Sequence, residues 1–113
     1  MHVLHYACQH GQLDLLKYIF MNTAFNIDYN IVNDNDWTPL HSASAFGRYE
    51  VVKFLFENYK VKGIDVTRKT GIDKTAEDYA RGEGEFYRKN PRHPQIVEVL
   101  KLWTNEIKEK HFV

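Results

Sequence analysis

The sequence predicts an all-α fold, a solenoid of stacked helix–turn–helix units. Three observations carry this. Residues 37–55 read as a short capped helix, a glycine turn and a second amphipathic helix. Residues 4–20 repeat that organisation at an offset of 36 residues. Near the end, Ile96, Leu100, Trp103 and Ile107 keep the three-and-four spacing of one helical face.

The central unit is the clearest. Thr38 caps the first free backbone N–H groups, and Pro39 suits the first helical position, where its missing N–H costs nothing. Leu40 and Ala43 share a face, Gly47 makes the turn, and Val51, Val52 and Leu55 continue the apolar pattern. The first unit copies it. Leu4-His5-Tyr6-Ala7 falls on Leu40-His41-Ser42-Ala43, Gly11 on Gly47, and Leu15-Leu16-Lys17 on Val51-Val52-Lys53. Tyr18-Ile19-Phe20 then falls on Phe54-Leu55-Phe56. One such unit cannot bury its apolar face alone, so stacking must create the core. The expected core is Leu4, Ala7, Leu15, Leu16, Ile19, Leu40, Ala43, Val51, Val52, Leu55, Ala80, Ile96, Val97 and Leu100.

Thr38-Pro39-Leu40-His41-Ser42-Ala43 resembles the Thr-Pro-Leu-His-x-Ala signature of ankyrin repeats. The resemblance covers roughly residues 3–103, and is fullest in the second unit and partial in the third. It implies a single domain of three units, 1–32, 33–69 and 70–113, joined by short β-hairpin connections. Asn26-Ile27-Asp28-Tyr29-Asn30 and Gly63-Ile64-Asp65-Val66-Thr67 resemble the segment that closes a unit. Asn26 and Gly63 are residue types that tolerate the left-handed helix-ending conformation. Each unit carries about three or four residues more than the usual ~33. A second helix longer by one turn absorbs them, near 12–24 and 48–60.

The sequence also departs from the family pattern. Asp36 and Asp73 stand where a hairpin glycine is usual, and Asp can visit the left-handed region. No Thr-Pro and no hairpin precede Leu4. In the third unit Thr75 and Asp78 form a capping box with a shortened acid, and Glu77 takes the place of Leu40. After Ala80 the chain runs about eight residues longer than the usual turn. Pro94 and Gln95 then open a last helix reaching about Lys110, a cap with polar final turns.

Fifteen basic residues balance fifteen acidic ones, which argues against a dedicated nucleic-acid binder. No apolar run reaches membrane-spanning length, and the start lacks a signal-peptide pattern. The single cysteine, Cys8, fits a reducing compartment, cytoplasmic or nuclear. His2, His5 and Cys8, three apart, have the spacing of a zinc constellation, but the resemblance makes His5 and His41 structural. No nucleophile elbow surrounds Ser42, and Gly82-x-Gly84 is no dinucleotide loop. The expectation is a non-enzyme without cofactor or metal.

The resemblance implies a protein-interaction module or small adaptor that binds another protein through its hairpin tips and the concave face of its first helices. The matching residues are Asp34, Asn35 and Trp37 at one tip, with Ile72 and Lys74 at the next. Gln9, His10, Ala45 and Phe46 lie late in the first helices. Trp37 and Phe46 are the leading contacts, because large aromatics dominate interface energetics. Phe86, Tyr87 and Arg88, in the long segment after Ala80, add an aromatic and basic group of candidates. The alternative is the C-terminal end of a longer array with a mainly structural or self-associating role. A monomer is the favoured state.

Overall fold

The computed structural model describes residues 2–22, 24, 26–83 and 93–110. They form α1 (Val3–Gln9), α2 (Leu13–Met21), α3 (Pro39–Ala45), α4 (Tyr49–Lys62), α5 (Ala76–Ala80) and α6 (Pro94–Lys110). The short helices α1, α3 and α5 pack side by side in one row, and α2, α4 and α6 in a second row behind them. The smallest dimension of 24 Å is that of two helix layers of about 10–12 Å each.

Each short helix begins where the sequence places a cap. Thr38 Oγ1 accepts from His41 N at 3.3 Å, and His41 Nδ1 accepts from Thr38 N at 3.0 Å. A histidine thus fills the acidic place of a capping box. In α5 the same box is closed by Asp78, at 3.2 and 3.0 Å. The core runs unbroken from Leu4 and Leu16 through Leu40, Val52 and Leu55 to Ala80, Ile96, Leu100 and Trp103. Leu15 and Val97, expected inside, are half-buried at its edge. Cys8, Tyr29, Ile64, Val66 and Ala76 join it. Tyr29, Ile64 and Val66 pin the segments that follow the second helices.

The extra turn is absorbed differently in the two units. α4 runs to Lys62 and ends on Gly63 in the left-handed region, φ 63°. α2 stops at Met21, short of the expected residue 24. Asn22 Oδ1 accepts from Ala24 N at 3.0 Å, a local bond that competes with helix continuation. Asn26 does not take up the left-handed conformation; among the described residues only Asp36 (φ 61°) and Asp73 (φ 65°) do so without being glycine.

The unit connections are tight turns, with no strand among the described residues. Asn33 N donates to Trp37 O at 2.9 Å, and Thr70 N donates to Lys74 O at 2.9 Å. Asp36 and Asp73 supply the left-handed residue each turn needs. The long segment after Ala80 returns to a fixed place. His93 N donates to Ala80 O at 2.8 Å, matching Arg48 N to Ala43 O at 2.9 Å in the unit before. The junction between short and long helix is therefore unchanged by the extra residues.

Two outcomes are expected. Leu40→Ala, which empties a site 2% exposed between the rows, lowers unfolding free energy by about 2–5 kcal/mol, read by denaturant titration. Deleting residues 85–92 leaves Gly84 in the place of Gly47, and lowers the melting temperature by less than Leu40→Ala does.

Candidate partner-binding face

The repeat offsets align the short helices position by position. One line across them holds Tyr6, Ser42 and Tyr79, and a second holds His10, Phe46 and Glu83. Ser42 and Tyr79 are buried, and Tyr6 is about half exposed. Tyr79, large where Ser42 is small, covers Trp37 with ring centroids 4.7 Å apart. It also meets the His41 ring edge-on at 5.8 Å. Trp37, Ala45 and Tyr79 form a small buried cluster, with Phe46 half-buried against it.

The structure therefore divides the expected contact residues. Trp37 at 4% and Ala45 at 6% exposure lie beneath the surface, with Tyr79 over the tryptophan. Phe46 borders that cluster. Asp34 and Asn35 are exposed on the first tip, and Ile72, half exposed, on the second. Lys74 reaches Glu83 at 3.6 Å. Gln9 is half-buried, while His10 is exposed and packs against the Tyr6 ring at 4.7 Å. Phe86, Tyr87 and Arg88 lie outside the described residues. Tyr6 and Tyr79 were not among the sequence candidates. The signal that reveals them is the shared register with Ser42, a small residue flanked on both sides by tyrosine.

The tips are held from within and from the preceding unit. Asn33 Oδ1 accepts from Asn35 N at 2.9 Å and from Trp37 N at 3.1 Å. Thr70, its counterpart, accepts from Lys74 N at 3.4 Å. His5 Nε2 bonds to Trp37 O at 2.9 Å, and His41 Nε2 to Arg68 O at 2.9 Å. Each histidine thus ties its own unit to the connection of the next. A cleft of about 400 Å³, lined by His2, His5, Val32, Asn33, Asp34 and Asn35, opens beside the first tip.

His41 is held below its ordinary pKa of 6.5 by burial, which outweighs the carbonyls of Arg68 and Lys74 that favour the charged ring. His5 is lowered in the same way, against the carbonyls of Trp37 and Ile31. Neutral His41 fits its bonds. Nδ1 accepts from Thr38 N, so the single proton sits on Nε2 and is donated to Arg68 O.

The chemically suggestive groups have other occupations. Burial pushes the Cys8 thiol up to about 12, away from the thiolate a nucleophile or metal ligand needs. His2 Nδ1 caps α1 through Leu4 N at 3.0 Å. Among the described residues no group of three or more His, Cys, Asp or Glu is placed to hold a metal ion. No helix among them is long and apolar enough to cross a membrane.

Stacked helix–turn–helix units, with loop tips aligned along one edge, define a helical-repeat scaffold. Comparison with known proteins gives the family. The family model described as ankyrin repeats (many copies) matches residues 4–56. An ankyrin repeat domain-containing protein, SOWAHB, of Xenopus laevis is 33% identical over 61 residues, covering 51% of this chain and 8% of that protein. BTB/POZ domain-containing protein 3 of Schizosaccharomyces pombe is 42% identical over 52 residues, 46% of this chain and 10% of its own length. Protein phosphatase 1 regulatory subunit 12A of Mus musculus is 30% identical over 76 residues, 66% of this chain and 7% of its own. The chain thus spans a tenth or less of these relatives. The repeats of residues 4–56 are ankyrin repeats, and ankyrin repeats are protein–protein interaction modules.

The histidine links give a pH dependence. A ring whose folded pKa lies below its unfolded value of about 6.5 contributes fully above that value. Its contribution is lost as pH falls below 6.5 toward the folded pKa, because the unfolded chain then binds the proton more readily. The melting temperature is expected to drop between pH 7 and pH 5. In thermal scans across that range, His41→Asn lowers the starting value and flattens the drop.

Proposed function

We propose that this chain is a non-catalytic adaptor that binds another protein along the line of turn tips and the neighbouring exposed edge of its short helices. The observation that carries the reading is the set of exposed groups on internally braced turns: Asp34 and Asn35 on one, Ile72 on the next. Such tips are ordered before binding, which reduces the entropic cost of association. Phe46 and His10, which cap the C-terminal ends of α3 and α1, extend the strip. Trp37 and Ala45 act as its floor, setting the height of Phe46 and the neighbouring tip. The cleft beside Asp34 and Asn35 offers room for a partner side chain.

The reading as a binding protein is supported by the family, and by a relative that is, by name, a regulatory subunit of a phosphatase. The single buried cysteine is compatible with the reducing interior of a cell, cytoplasm or nucleus.

The test is affinity capture with the tagged chain, followed by affinity measurement on the captured protein. Truncating an interface anchor costs about 2 kcal/mol or more, roughly 30-fold in Kd. Ile72→Asp combined with Phe46→Ala is expected to weaken binding by at least that factor. Tyr18→Ala, 63% exposed on the long-helix row, is expected to leave it unchanged. Equal affinity for the double variant and the wild type removes the tip-and-edge strip as the site.

A further inference from the structure

We infer that the groove between α4 and α6, on the long-helix row, is a binding site for an alkylammonium group of the kind a lysine side chain carries. The site is separate from the turn tips and independent of what they bind.

The groove is built from aromatic rings and carboxylates. A cavity of about 340 Å³ opens there, with Phe56, Tyr59 and Glu106 on its lining. The Phe56 and Tyr59 rings are nearly parallel, at 13°, with centroids 6.2 Å apart. Both pack on the buried Trp103, at 5.6 and 5.2 Å, which supports them from the core. Tyr59 Oη donates to Glu106 Oε2 at 2.8 Å. That bond orients the carboxylate and leaves Oε1 without a partner among the described residues. Glu57 adds a second carboxylate to the lining. Asn58, whose Nδ2 donates to Phe54 O, adds an amide oxygen as acceptor. Lys60 is the one cation on the lining, against two carboxylates. Ring faces and carboxylates both favour a cation. An alkylammonium suits them together, because it brings N–H donors to the oxygens and an apolar stem to the rings.

The neighbouring junction shows what such rings hold. Phe20 is the repeat equivalent of Phe56. Between α2 and α4, Lys62 Nζ stands 5.2 Å from the centre of the Phe20 ring and 5.7 Å from that of Tyr29. The offset that sets His93 on Arg48 sets Ile107 on Lys62. Ile107 is packed against the core and carries no charge. Among the described residues no cation stands over Phe56, Tyr59 or Trp103. The same offset sets Glu106 on Val61, so α6 brings a carboxylate where α4 has an apolar residue. One junction thus supplies its own lysine. The next keeps the rings, replaces the lysine with isoleucine and adds negative charge. The complement it lacks is a cation from outside the chain.

Three probes test the site: n-butylamine, cationic at pH 7; n-butanol, its neutral counterpart; and a capped Gly-Lys-Gly tripeptide. Each is titrated into the 113-residue chain and followed by the NMR signal of the Trp103 indole, which lies against both rings. A saturable shift with butylammonium or the tripeptide, and none with butanol, is the expected result. Saturation by the tripeptide alone assigns the site to a lysine of another protein, and saturation by butylammonium alone to a free amine. Glu106→Gln keeps the Tyr59 bond but removes the charge, and is expected to weaken binding about tenfold, the worth of a hydrogen bond to a charged group. Phe56→Leu keeps apolar packing on Trp103, and is expected to weaken it about threefold through loss of one ring face. The inference is overturned if neither amine gives a saturable shift, if butanol shifts the signal equally, or if Glu106→Gln binds as tightly as the wild type.

Discussion

The bond from a buried histidine to the next unit's connecting turn is the constraint on which the rest depends. His5 and His41 each spend one ring nitrogen across a unit boundary. His41 spends the other on its own helix cap. The ring therefore fixes two things at once, where α3 starts and where the following turn sits. A core of short helices could slide along its rows, since apolar contact is non-directional. A directed N–H to a carbonyl cannot slide without losing the bond. In the third unit the equivalent residue is Asp78, which still closes the cap but is an acceptor and has no proton to donate forward. The series of forward links stops at that residue, where α6 takes over as the closing element.

The face that carries the turn tips is shaped by the same register. Because the units are equivalent, a change of residue size at one position moves the surface in a defined place. Tyr79 instead of a small residue packs its ring against Trp37, which lies buried at 4% exposure. Phe46 remains at the border, half-buried. In the proposed reading, recognition falls to Asp34, Asn35 and Ile72, exposed on the turns, more than to the scaffold beneath them.

Much of this was legible in the sequence because the repeat compares the chain with itself. The caps at Thr38 and Thr75, the left-handed Asp36 and Asp73, and the bounds of α6 follow from residue types with strong local preferences. The burial of Trp37 was not legible. It depends on Tyr79, a residue 42 positions away that meets it only after stacking. The early end of α2 was hidden for a different reason. A local side-chain bond at Asn22 competes with helix growth, and the balance between the two is too fine for pattern alone to decide. The candidate site was legible as a region and not as a list of surfaces, because register gives neighbours while exposure depends on the size of what sits beside them.

The paired ends of the segment after Ala80 bear on how such a protein changes over time. With His93 N bonded to Ala80 O, the helices on either side are locked together whatever joins them. Loop closure costs grow only with the logarithm of length, so a doubling adds about 0.6 kcal/mol. Selection can therefore lengthen, shorten or rewrite that stretch without renegotiating the scaffold. It is the position in the chain where new recognition sequence can be acquired most cheaply, and where relatives of similar fold are expected to diverge first.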